Sequence, residues 1–118
     1  DGKNSIGKNT RIDGKIENSS VGNNCTIKGK IKNSIVMDNS VIDNGIIEYS
    51  IIGENVYFSG VAKSGKNVKS IVKEKLVTAE RLGAIIADNV KAENVNIKPG
   101  CKIWPNKNIK GKIDNDIT

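Results

Sequence analysis

Four segments of the chain superimpose in register: IGKNTRIDGKIENSS from Ile6, VGNNCTIKGKIKNSI from Val21, VMDNSVIDNGIIEYSI from Val36 and IGENVYFSGVA from Ile52. The spacings are fifteen, fifteen and sixteen residues. Read vertically, the columns hold Ile6/Val21/Val36/Ile52, then Ile12/Ile27/Ile42/Phe58, then Ile16/Ile31/Ile46. Single large aliphatics at three stations per repeat, separated by polar residues, suit a three-sided β-solenoid. Each coil of such a stack sends one apolar side chain per face into a narrow core. The repeat therefore predicts an all-β chain.

The residue types agree with the period. Nineteen Ile and ten Val dominate the apolar set, and only four residues are aromatic. That β-branched bias favours pleated, stacked strands over helices. The residue three places after each leading aliphatic is Asn9, Asn24, Asn39, Gly45, Asn55, Asn89, Gly100 or Asn106. Asn and Gly adopt positive φ most readily, so a tight corner is predicted at each of these places. Gly7, Gly22 and Gly53, next to the leading aliphatics, fit the same tight geometry. A second ladder, Asn18-Ser19, Asn33-Ser34 and Tyr49-Ser50, falls at equivalent points of successive coils, where stacked polar side chains can hydrogen-bond along the column.

One domain over residues 1–118 is expected, divided into first coils at 1–62, an excursion at 63–81, last coils at 82–113 and a tail at 114–118. The excursion, KSGKNVKSIVKEKLVTAER, breaks the hexads. SGKN at 64–67 reads as a turn, and Val68, Ser70 and Val72 alternate as in a short exposed strand. An inserted loop or β-arm is predicted, serving either for binding or for packing onto a neighbouring subunit. The hexads resume at Leu82 with leading Ile86, Ile97, Ile103 and Ile109, and Ile117 is placed to cap the last coil.

The formal charge of +6 raises the question of nucleic acid. Its seventeen Lys are scattered among Asp, Glu and Asn, with two Arg and no basic run interleaved with aromatics. That pattern describes a solvated surface, and no nucleic-acid partner is expected. No apolar run is long enough to span a membrane. Cys25 and Cys101 fall at inward stations and read as core thiols of a reduced, cytoplasmic protein. With no His and no CxxC spacing, no metal site is expected. The chain enters its repeat almost at Asp1, as a domain of a longer polypeptide would.

Hexads of this type resemble those of left-handed β-helix proteins, which depart from the usual right-handed crossover. The fold expected is thus a left-handed parallel β-helix, a three-sided hexapeptide-repeat solenoid with one inserted loop or β-arm. More narrowly, NSIVMDNSVI followed by YSIIGENV resembles the C-terminal solenoid of sugar-1-phosphate nucleotidylyltransferases of the archaeal and bacterial type, acting on glucose-1-phosphate or mannose-1-phosphate. The run RLGAIIADNVKAENVNIKPGCKIWP is similar to the last coils of that group, and Ser64-Gly65-Lys66-Asn67-Val68-Lys69 to its D-G-K-x-V-K loop. The resemblance implies an assembly or regulatory solenoid that forms homotrimers and follows an upstream catalytic domain, where nucleotidyl transfer uses magnesium. Bifunctional relatives acetylate a sugar amine with a His base. This chain has none, and Asp88 or Glu54, the carboxylates considered in its place, sit at ordinary corners.

No catalytic residue and no cofactor are expected in this segment; the alternatives are a stand-alone structural or interaction solenoid, or a hexapeptide acyltransferase with a non-His base. Lys66, Lys69 and Arg81, in or beside the excursion, are the candidates for an anionic ligand such as a phosphate, or else solvated loop charges. Trp104, followed by Pro105, is predicted to point outward, packing on a partner domain or subunit or shielding the end of the stack.

Overall fold

A computed structural model of the chain describes residues 4–63, 65–72 and 75–118, with side-chain surroundings given for those outside 65–82. It is all-β, a parallel solenoid of six stacked rungs. The short-strand sheet contains β1 (Ser5–Ile6), β3 (Ser20–Val21), β5 (Ile35–Val36), β7 (Ile51–Ile52), β11 (Ile85–Ile86) and β13 (Lys102–Ile103), in that order. The long-strand sheet contains β2 (Arg11–Glu17), β4 (Thr26–Lys32), β6 (Val41–Glu48), β8 (Tyr57–Ala62), β12 (Lys91–Ile97) and β14 (Asn108–Ile113), again in rung order. Every pairing within these two sheets is parallel.

In the first, second, third and fifth rungs three residues per turn sit in the left-handed region, and they mark where each rung bends. In the second rung these are Asn24 (φ 58°), Gly29 (φ 134°) and Asn33 (φ 49°). The first rung repeats them at Asn9, Gly14 and Asn18, and the third at Asn39, Asn44 and Tyr49. Asn pays little for this conformation because its short side chain bonds locally. Tyr49 is the exception in residue type, at φ 50°, held by its N–H to the Lys32 carbonyl and by the Gly83 N–H to its own carbonyl.

The inward stations form three apolar columns. One holds Val21, Val36, Ile52, Ile86 and Ile103; the next Ile27, Ile42, Phe58, Ala92 and Ile109; the third Ile31, Ile47, Ala62, Ile97 and Ile113, all buried. Phe58 fits because small residues on either side leave it room. Ile42 and Ala92 are its register partners, and a Cβ at Gly45 would lie 3.2 Å from the Phe58 ring. Large against small keeps the column at interior packing density. Cys25 and Cys101 are free thiols at inward stations, as the repeat predicts. Cys25 Sγ donates to the Met37 carbonyl at 3.1 Å, and burial pushes the Cys101 thiol pKa up.

Three expectations are corrected. The third column takes Ile47, with Ile46 turned outward and half-buried, because the extra residue of the third rung is a β-bulge before Gly45. Ile27 pairs with Ile42 and Gly29 with Gly45, so Asp43 and Asn44 together oppose Lys28. The positive φ belongs to Asn44, not to Gly45. Ile6 occupies the first inward column yet is 48 % exposed, against 2 % for Val21, because β1 is the end strand of its sheet and has a neighbour on one side only. At the other end Ile117 forms a parallel bridge to Ile103 and its carbonyl accepts the Trp104 N–H at 2.9 Å.

The Ser ladder runs through the corner that enters the short-strand sheet. Ser19, Ser34 and Ser50 are buried. Each hydroxyl donates to a carbonyl of its own rung, at Glu17, Lys32 and Glu48 respectively. Each also accepts an N–H from the next rung: Ser34 at 3.1 Å, Ser50 at 3.0 Å and Ala84 at 2.9 Å. Buried polar groups are thereby satisfied without water.

Between Ala62 and Gly83 the chain leaves the stack as an antiparallel hairpin, β9 (Gly65–Val72) and β10 (Lys75–Leu82). Among the described residues this pair forms a two-stranded sheet of its own.

Candidate self-association face

The short-strand sheet presents two columns outward. One holds Ser5, Ser20, Ile35, Ile51, Ile85 and Lys102, set by the strand register. The other holds Gly7, Gly22, Met37, Gly53, Ala87 and Trp104, the N–H of each donating to the next rung, with Gly53 itself buried. From the first rung to the fifth neither column carries a charge. Its middle is apolar and solvent-facing, with Ile35 45 %, Met37 40 % and Ile51 40 % exposed. The column of Met37 and Ala87 ends at Trp104, which is 57 % exposed.

Local chemistry explains why this strip is flat and bare. The glycines at 7, 22 and 53 are required by close approach rather than by φ. A Cβ at Gly22 would collide with the Asp38 carboxylate, and one at Gly53 with that of Asp88. Those carboxylates are turned along the stack to accept backbone N–H groups, Asp38 from Asn23 and Asp88 from Glu54, each at 2.8 Å. Asp88 is thus engaged in holding adjacent rungs together. The signal for the apolar strip was present in the doublets Ile35-Val36, Ile51-Ile52 and Ile85-Ile86, where one aliphatic faces the core and its predecessor faces out. Sequence reasoning used only the inward member of each pair.

The predicted anion-binding residues fall on the hairpin, and their side chains lie outside those described. Their backbone positions are defined: Lys66 and Arg81 are cross-strand partners, whereas Lys69 pairs with Thr78 in the opposite phase of the pleat. The register joins Lys66 to Arg81 and separates Lys69 from both.

A second polar cluster lies on the long-strand sheet, where the bulges of β6 and β12 flank β8. Tyr57 Oη donates to Asp43 Oδ2 at 3.0 Å, and Ser59 Oγ accepts the Asn94 N–H at 2.8 Å. The Asp43 hydrogen bond, with its negative charge, raises the Tyr57 phenol pKa above the ordinary value. Glu93 nearby is held low by its hydrogen bond and ion pair with Lys91 at 3.0 Å. Among the described residues no group of three His, Cys, Asp or Glu side chains is arranged to hold a metal ion, and no helix is long and apolar enough to cross a membrane.

No protein-family model matches this chain, and no curated protein matches it.

Proposed function

We propose that this chain is the assembly solenoid of a sugar-1-phosphate nucleotidylyltransferase, a cytoplasmic sugar-nucleotide-forming enzyme, associating with copies of itself as a homotrimer. The reading takes the solenoid as left-handed and three-sided, in keeping with three left-handed-region stations in the first, second, third and fifth rungs. The observation that carries self-association is the outward face of the short-strand sheet: uncharged over five rungs, apolar at its centre, and edged by Trp104. Burying such a face costs no charge desolvation, and Met and Trp are enriched at interface cores. The parent enzyme's identity rests on the sequence resemblance alone. In this reading nucleotidyl transfer, with its magnesium, belongs to an upstream domain, and the solenoid sets the spacing of catalytic units.

The test is the solution mass of the chain by sedimentation, with Ile51→Lys on the short-strand sheet and Ile46→Lys on the long-strand sheet as control. A trimer that dissociates at least tenfold more readily in Ile51→Lys, and is unaffected by Ile46→Lys, is the expected result. A monomeric parent chain would sink the assembly reading. Native polypeptide containing this segment should also convert a sugar-1-phosphate and a nucleoside triphosphate into a nucleotide sugar and pyrophosphate; failure to do so removes the enzyme assignment.

A further inference from the structure

The uncharged face has two flanks of opposite sign. At the corner where each rung leaves the short-strand sheet, successive rungs place Asp38, Glu54 and Asp88 in one column, as the corner hydrogen bonds Asn55 N–H to Asp38 carbonyl and Asn89 N–H to Glu54 carbonyl fix. Rungs lie about 4.8 Å apart, so three carboxylates stand within roughly 10 Å. Among the described residues none of the three is in a salt bridge. Like charges stacked in adjacent strands repel. At the opposite corner, where each rung enters the same sheet, the chain runs out into the β9–β10 arm. Residues 63–82 carry six Lys and Arg against two Glu.

We propose that the arm of one copy docks on the Asp38–Glu54–Asp88 ridge of a second copy, across the uncharged face. This rests on the self-association reading and specifies its partner surface. Charge complementarity selects the occupant: the ridge is acidic, with two of its carboxylates also holding backbone N–H groups, and the arm carries an excess of cations. Symmetry makes the match automatic. Rotation about any axis parallel to the stack sets the arm side of one face against the ridge side of its neighbour. A two-fold axis lying across the stack would instead set arm against arm. Reach is sufficient, since eight-residue strands span about 26 Å, and the distance from one corner to the next is only about five residues. A two-stranded ribbon is also marginal alone in water, and a partner surface would add contacts to it.

The experiment is a charge swap on the whole chain, read as the dissociation constant of the oligomer at low and high salt. Glu54→Lys reverses the ridge at an exposed side chain whose backbone N–H, the group bonded to Asp88, is retained. The pair Lys66→Glu with Lys69→Glu reverses the arm. Each reversal is expected to weaken association by about tenfold or more at low salt, with the deficit shrinking as salt screens it. Combining the two reversals is expected to restore association to within about threefold of the parent. An oligomeric parent whose dissociation constant ignores both reversals overturns the clasp and leaves the face-to-face reading standing. A monomeric parent overturns both.

Discussion

On the long-strand sheet the outward stations read Asp13, Lys15 and Glu17 in the first rung and Lys28, Lys30 and Lys32 in the second, each opposite its register partner. Glu48 follows Lys32 in the third. The outermost column therefore alternates in sign from rung to rung, and Lys15 pairs with Glu17 at 3.1 Å within its own rung. On the short-strand sheet the corresponding stations are Ser, Ser, Ile, Ile and Ile before the first Lys. Both sheets share one core and one set of rungs. Beyond the length, bends and bulges of the long strands, they differ in what the outward phase of the pleat carries. Cross-strand opposite charges stabilise a solvated sheet modestly and resist wrong pairings. A strip without them has little to lose on being covered. Inward residues thus set the fold, and outward residues decide which face meets another molecule.

The contrast breaks most completely at the bend of the long strands. Gly29 has φ 134°, and a Cβ there would collide with the Gly45 carbonyl oxygen. Gly29→Val is expected to cost more than about 3 kcal/mol, by strain plus overpacking, in urea denaturation. The short-strand sheet has no glycine within its two-residue strands, and the glycines that flank them, Gly22 and Gly53, approach the side chains of Asp38 and Asp88 and do not need a positive φ. Its weak place is the hydroxyl ladder beneath it. Ser34→Ala leaves the buried Ser50 N–H without an acceptor, which should cost about 1–3 kcal/mol in the same assay, while Ser34→Thr tests whether a hydroxyl alone suffices.

The smallest effect sharpens the difference in charge. Glu93 is held below its ordinary carboxylate pKa by Lys91, so its favourable contribution is present above the unfolded pKa and fades as pH falls through the lower folded one. Lys91→Met should move the Glu93 carboxyl resonance back toward the ordinary range in an NMR titration. An unmoved resonance would show that the ion pair is not what lowers it. Both groups are solvated, so the change in stability is expected to be slight.

The rung period, the Asn corners and the Ser ladder were legible in the sequence because each is a local preference repeated at a fixed offset. Ile46 and Ile47 show where that legibility stops. Both are aliphatic, and only the position of the extra residue decides which turns inward; pairing with the next rung places it at Asp43-Asn44. Ile6 shows a different limit. Its column assignment was correct, but burial in a stack depends on the rung on either side, and β1 has one neighbour. The outward strip went unread because an aliphatic before a core aliphatic is ordinary in one rung. It gains meaning only when three rungs align it. The hairpin was anticipated as an excursion, but which of its cations stand opposite one another depends on a register that composition does not encode.

The hydroxyl ladder also settles where a long segment can be grafted onto this scaffold. Ser19 and Ser34 must each hold a hydroxyl for the rung above, so an insertion that displaced either would orphan a buried amide. Ala84 accepts this arrangement from below, through its N–H to Ser50, but has no hydroxyl to offer upward. Above it the Cys101 N–H turns instead to the Lys98 carbonyl within its own rung. The chain leaves the stack after Ala62 and returns at Gly83, just before Ala84, a core residue whose side chain offers the next rung no hydrogen bond. The arm is mounted where the ladder ends, and that corner is the natural socket for exchanging one appendage for another without dismantling the rungs beneath.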